Sequence, residues 1–173
     1  MKATGLDNGE VMLSTTKFPA PQLALMYNMA DCTINVSDAE GFGLATLESL
    51  SCATPIIATM TGGLQEQVTD GEKFFGIGLN PSSKSIIGSQ DIPWIYEDRL
   101  NGEDVVNAMQ LMVEMDPDER KALGIAGRNH VEEKYNFKDF NESWIDLVEK
   151  VMKENGSWAD RKKYQNWTLE EIL

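Results

Sequence analysis

Three short apolar runs, Cys32–Val36, Pro55–Ala58 and Phe74–Leu79, alternate with two segments of helical pattern, Gly43–Ser51 and Leu64–Val68. Each run is too brief for a buried helix, and Thr33, Ile34, Val36, Ile56 and Ile57 supply the β-branched residues that favour strands. Continuous apolar runs suit strands covered on both faces, and strand–helix alternation joins such strands in parallel. The expected fold class is therefore α/β, a Rossmann-like three-layer sandwich around a parallel sheet. In sheets of this kind ligands gather at the carboxyl ends of the strands. That directs attention to the segment between Val36 and the body of the next helix.

The flanking sequence extends this pattern. Val11-Met12-Leu13 reads as a short strand. Pro19 and Pro21 bracket a helix start, Leu23, Met26 and Tyr27 share one helical face, and Asp31 marks the stop. Asn80–Asn101 is the least regular stretch, with a β-like PWIYED inside it. Three helices are expected after it, over Glu103–Met115, Pro117–Tyr135 and Phe137–Lys153. Val105, Val106, Met109, Met112 and Val113 read as a core-packing stripe. Phe140, Trp144, Leu147, Val148 and Val151 line one side of the last helix. The expected organisation is one domain over residues 1–153 and a helical tail over 154–173, whose Trp158, Tyr164 and Trp167 need a surface to cover.

Composition bounds the function. The 173 residues are 42% hydrophobic and 25% charged, enough for a globular core without staples. A net charge of -13 repels phosphate backbones and anionic lipid, so no nucleic-acid partner and no integral membrane contact are expected. Cys32 and Cys52 have no partner at metal-ligand spacing, which suits small core residues in a reducing compartment. No charged-then-apolar leader and no membrane-length apolar run is seen, and the expected location is cytoplasmic.

The segment after Val36 carries the chemistry. Gly41 and Gly43 lack Cβ atoms, so the backbone there approaches a ligand closely. The amides of Gly43, Leu44, Ala45 and Thr46 are the unpaired donors of a helix N-terminus, a ready phosphate site. Glu40 just ahead suits either hydroxyl recognition or simple complementation of the helix dipole. Leu44, Leu47, Glu48 and Ser51 fall on one helical face, and its two leucines suggest an inward one. A desolvated carboxylate there needs donors, which a ribose diol supplies; the alternative is a solvated glutamate. Glu40 and Glu48 are eight residues apart, roughly 12 Å along a helix. Hydrolytic carboxylate pairs stand about 5–10 Å apart, so a nucleotide sugar spanning ribose, diphosphate and hexose matches better.

The string ADCTINVSDAEGFGLATLESLSCATPIIATMTGGLQEQVTDG, Ala30 to Gly71, resembles the donor-binding motif of the retaining GT-B glycosyltransferases of group 1. Glu40 and Glu48 match its E-x7-E hallmark, and Ser37, EGFGL, the CATP turn, Gly62-Gly63, Glu66 and Asp70-Gly71 match its surroundings. The resemblance continues more weakly to Lys153, with Arg128 in the position of a recurring arginine. It implies a catalytic role for Glu40 at the donor-sugar hydroxyls near the reacting carbon, and contact of Glu48 with the ribose. Gly41, Phe42, Gly43 and Leu44 would line sugar and phosphate, with Ala45 and Thr46 near the phosphates. Thr61 and the glycine pair would approach the donor. No metal or other cofactor is implied, because positive groups and the helix terminus neutralise the leaving diphosphate.

The resemblance also implies parts that this sequence lacks. A GT-B fold has two Rossmann-like domains, and 173 residues hold the C-terminal one at most, with its first strands absent. Only Lys2 and Lys17 precede Glu40, so the family's upstream phosphate-binding arginine and lysine have no counterpart. The expectation is a fragment or truncated product, nearly inactive alone, with its acceptor domain missing or supplied by a partner chain. A non-catalytic binding or assembly module stands as the alternative, with a nucleotide-sugar epimerase disfavoured by E-x7-E. His130 follows Arg128 in a late helix without a nucleophile nearby in sequence and reads as structural or surface.

Overall fold

The computed structural model describes residues 5–6, 8–157 and 159–163. Helix α1 (Ala20–Met29) starts behind Pro19 with Pro21 in its first turn, where a missing N–H costs nothing. Then come β1 (Thr33–Asn35), α2 (Leu44–Ser51), β2 (Ile56–Thr59), α3 (Leu64–Val68) and β3 (Gly76–Leu79). The three strands form a parallel sheet in the order β1-β2-β3, with Ile34 beside Ile57 and Ile57 beside Ile77.

β2 is central, and all four of its residues are buried, which accounts for its unbroken apolar run. Ile57 and Leu79 cluster with Ala108 and Met112 of helix α4 (Gly102–Glu114). Helices α2 and α3 also lie against β2, and they carry Leu50, Leu64 and Val68, each fully buried. Burying a side chain of this size contributes about 1.5–3 kcal/mol. The α/β class with a parallel sheet is thus the one expected.

Two expectations are corrected, and a third, the β-like PWIYED, is borne out as half of a hairpin. Val11–Leu13 forms no strand; Met12 is 90% exposed, and no described segment completes a ladder with it. The irregular stretch contains an antiparallel hairpin, β4 (Ser83–Ile86) with β5 (Tyr96–Arg99), whose second strand falls within PWIYEDR. The Ser-Lys-Ser start of β4 is too polar to signal a strand. In α4 only Ala108 and Met112 are buried, with Val105 half-buried beside them. Those three positions make one helical face, whereas Val106, Met109 and Val113 sit on an adjacent, exposed one.

Asn101 caps α4 by accepting from the Glu103 amide at 3.0 Å. Helix α5 (Pro117–Lys134) follows, then α6 (Phe137–Asn155), capped by Asn136. The chain divides into two compact units at Arg128/Asn129, inside α5. In the first unit, Gly124 and Gly127 lie where a Cβ would collide with the Ala53 carbonyl and with Leu50, so α5 approaches the end of α2 closely. In the second, His130 is buried and meets Tyr135 edge-on, centroids 5.7 Å apart. No residue of α6 is buried, and Phe140, Trp144, Leu147, Val148 and Val151 are all exposed. Trp158, Tyr164 and Trp167 lie outside the described residues. Among those described, no helix is long and apolar enough to cross a membrane.

Candidate functional site

Because β1, β2 and β3 run parallel, the loops after Asn35, Thr59 and Leu79 leave from one edge of the sheet. These loops touch. Gly63 donates its amide to the Gly41 carbonyl at 3.1 Å, and Asp98 of the hairpin donates its amide to the Asp38 carbonyl at 2.8 Å.

The loop after β1 is built from its first residue. The Asn35 side-chain oxygen accepts from the Ser37 amide at 3.1 Å and the Ser37 hydroxyl at 2.6 Å. Its amide nitrogen donates to Thr46 Oγ1 at 3.1 Å, tying the loop's start to the first turn of α2. At the far end Gly43 sits at φ 90, a left-handed conformation, with Leu64 where a Cβ would project. The Phe42 carbonyl accepts from Gln67 Nε2 of α3 at 2.6 Å. Gly62, at φ 48, leaves no room for a Cβ against the Glu40 carbonyl. The glycine pair packs against the backbone of Glu40, Gly41 and Phe42.

No side chain caps α2. Its first intrahelical bond runs from the Leu47 amide to the Gly43 carbonyl, 3.1 Å, so the amides of Leu44, Ala45 and Thr46 precede the ladder. Leu44 and Ala45 are exposed, and beside Gly41 the space a Cβ would occupy is open. Thr46 as a whole is 2% exposed, and its hydroxyl is bonded to Asn35. Such an uncapped helix start, exposed at Leu44 and Ala45, has the donors and dipole an anion needs.

The two glutamates have different surroundings. Glu40 is half-buried in the loop, and among the described residues no hydrogen bond or ion pair engages its carboxylate. Glu48 is exposed on α2 and accepts from the Tyr27 hydroxyl at 3.0 Å. Burial first, then the hydrogen bond and charge of Glu48, push the Tyr27 phenol up to about 12, so it stays a donor at neutral pH.

The face through Leu44, Leu47, Glu48 and Ser51 does not turn inward; Leu44 is 67% exposed. The buried face is Thr46, Ser49 and Leu50. Its hydroxyls are paired, Ser49 Oγ with Thr33 Oγ1 at 2.6 Å and with the Thr54 carbonyl at 3.1 Å. Satisfied hydroxyls replace apolar side chains there, so hydropathy pointed to the wrong face. Tyr27 and Gln67 were not singled out as site residues. Tyr27 shares a helical face of α1 with Leu23 and Met26, whereas nothing local signals that Gln67 reaches a carbonyl 25 positions away.

Glu66 is exposed in the first turn of α3. Both cysteines are free thiols. Burial pushes Cys32 up to about 11, and burial raises Cys52 against the pull of Arg128, so neither is a thiolate nucleophile at neutral pH.

Comparison with known proteins gives concordant matches. The family model for "Glycosyl transferases group 1" matches residues 3–130. The chain is 41% identical over 70 residues to a D-inositol 3-phosphate glycosyltransferase from Thermomonospora curvata, covering 40% of this chain and 16% of that protein. It is 29% identical over 150 residues to the alpha-1,3/1,6-mannosyltransferase ALG2 of Dictyostelium discoideum, covering 87% of this chain and 30% of that one. The chain thus spans less than a third of the length of either relative. Among solved structures it is similar to a sucrose-phosphate synthase from Thermosynechococcus elongatus, at TM-score 0.65 and 25% identity over 84% of this chain and 31% of that chain. It also shares its fold with the C-terminal domain of a glycosyl transferase group 1 family protein (LpcC) from Francisella tularensis. There the TM-score is 0.54 at 22% identity, over 79% of this chain and 58% of that chain. The α/β architecture is that of part of a GT-B fold.

Proposed function

The chain belongs to the group 1 glycosyl transferases, and from that premise we propose that its loop-and-helix edge binds the donor of a retaining sugar transfer, a nucleoside diphosphate sugar. The observation that carries this reading is the uncapped start of α2, with one carboxylate ahead of it in the loop and another along the helix. The amides of Leu44, Ala45 and Thr46 take the diphosphate. Glu48 takes the ribose hydroxyls, with Tyr27 setting its orientation. Glu40 and the backbone from Gly41 to Leu44 take the sugar, Glu40 acting at the hydroxyls near the reacting carbon. The open space beside Gly41 supports close approach there.

In the parent protein the reaction moves a hexosyl group from the nucleoside diphosphate to a hydroxyl acceptor with its anomeric configuration kept. The sugars and inositol phosphate in the names of the relatives support that substrate class. The protein's share is positioning and electrostatics, with the helix terminus carrying leaving-group charge in place of a metal. Residues 1–153 form the donor domain and 154–173 a tail. The acceptor is presented by a further domain or a partner chain, and this polypeptide alone turns over little. The two free cysteines support a reducing, cytoplasmic setting.

Calorimetric titration with UDP, GDP and ADP tests the reading. One of the three binds, EDTA leaves the affinity unchanged, and Glu48→Ala weakens it by about 1–3 kcal/mol. Indifference to Glu48→Ala would favour a module without a working donor site.

A further inference from the structure

The hairpin β4–β5 lies between β3 and α4, and the sheet does not need it for closure. Its base is closed by the Ser82 amide and hydroxyl, both donating to the Arg99 carbonyl, at 2.8 and 3.0 Å. From β5 the Arg99 guanidinium forks. Nη1 meets Asp38 Oδ2 at 2.7 Å, and Nη2 meets Glu97 Oε2 at 2.7 Å. Beside this fork the Asp98 amide donates to the Asp38 carbonyl at 2.8 Å, so Asp38 is held by both side chain and backbone. Lys84 approaches Asp98 from β4 at 3.7 Å, steadying the strand that carries the fork.

Asp38 stands two residues ahead of Glu40. Because nothing described pairs with the Glu40 carboxylate, its position is set by the backbone of its loop. That backbone is held at its start by Asn35, at its end by Gln67 and Gly63, and in its middle by the hairpin at Asp38 and by Gly62 packed on the Glu40 carbonyl. A planar guanidinium bridging two carboxylates fixes direction as well as distance, which an ammonium does not. The ion pairs are partly exposed, so they add little to global stability. Their consequence is local.

We propose that Arg99 is a positioning residue of the donor site, holding Asp38 so that Glu40 faces the transferred sugar. This rests on the donor-site reading above. The ribose end depends on Tyr27 and Glu48, which the hairpin does not touch among the described bonds. Loss of Arg99 therefore weakens recognition of the sugar and spares the nucleotide.

The test compares affinity for UDP, GDP and ADP with affinity for UDP-glucose, GDP-mannose and ADP-glucose, on the full chain. In Arg99→Gln the preference for the sugar-bearing form falls by roughly fivefold, while nucleoside diphosphate affinity stays within about twofold. Asp38→Asn gives the same pattern, the double variant is no worse than either single one, and Arg99→Lys recovers only part. The melting temperature stays close to that of the unaltered chain. An unchanged preference in both Arg99→Gln and Asp38→Asn overturns the proposal, as does an equal loss for both ligand types with a lowered melting temperature. If the unaltered chain binds none of the six, the donor-site reading falls and this inference with it. If it binds and Arg99→Gln changes nothing, only the role of Arg99 falls.

Discussion

Glu40 and Glu48 sit at two ends of one short segment, yet the protein holds them in opposite ways. Glu48 rides on a regular helix and its carboxylate is already engaged by a tyrosine hydroxyl. Glu40 rides on an irregular loop whose backbone is bonded from several sides while its carboxylate is left unengaged. A side chain fixed directly tolerates change in the elements around it. A side chain fixed only through its backbone inherits every fault in the supports. The comparison predicts that substitutions near Glu40 act through loop position, and those near Glu48 act through one hydrogen bond.

The largest effect is expected where the loop support is sterically exact. Gly62→Ala forces a Cβ onto the Glu40 carbonyl at a positive φ, and should cost about 3 kcal/mol in urea denaturation. Gly41→Ala, with no neighbour within 4 Å and no positive φ, should change stability by less than about 0.5 kcal/mol. If the two alanines are equally tolerated, the loop is not clamped as described.

A smaller effect is expected at the helical end. Tyr27→Phe removes the one hydroxyl seen to orient Glu48, and should cost about 0.5–1.5 kcal/mol in stability. Calorimetry should show nucleoside diphosphate binding weakened a few-fold, with the extra affinity conferred by a sugar untouched. A change in that extra affinity would mean that the two ends are not separately supported.

The subtlest effect is in pH dependence. An unperturbed phenol ionises near pH 10, and burial, with the Glu48 contact, raises that of Tyr27 to about 12. The folded protein keeps the proton that the unfolded chain gives up. The stabilisation is therefore whole below about pH 10 and is lost as pH rises through about 12. Unfolding free energies of the unaltered chain and Tyr27→Phe should converge across that interval. Parallel curves would show that the phenol does not titrate differently in the two states.

The sheet was legible because its strands are continuous apolar runs bounded by turn residues, and a central strand such as Ile56–Thr59 has no polar face to confuse the pattern. The hairpin was only half legible. Tyr96–Arg99 follows an apolar, aromatic lead-in, but its partner strand begins with the polar Ser-Lys-Ser. The glycine turn and the two glutamates were legible as a local pattern. What surrounds them was not, since Asp38–Arg99 and Phe42–Gln67 join residues far apart in sequence. The inward face of α2 was misread for a definite reason: Thr46 and Ser49 are buried as bonded hydroxyls, which hydropathy counts as polar. Gly62 and Gly63 read as positions of close approach, and pattern alone does not say that they approach the backbone of Glu40, Gly41 and Phe42.

The most direct test of the account is the affinity of Glu40→Gln and Glu48→Gln for a nucleoside diphosphate and for the corresponding nucleotide sugar. Glu40→Gln should abolish the advantage of the sugar-bearing ligand and leave the bare diphosphate bound as before, whereas Glu48→Gln should weaken both ligands by the same factor. Equal losses from the two variants on both ligands, or none from either, would contradict a donor laid along the start of α2 with its sugar toward the loop and its ribose toward the helix.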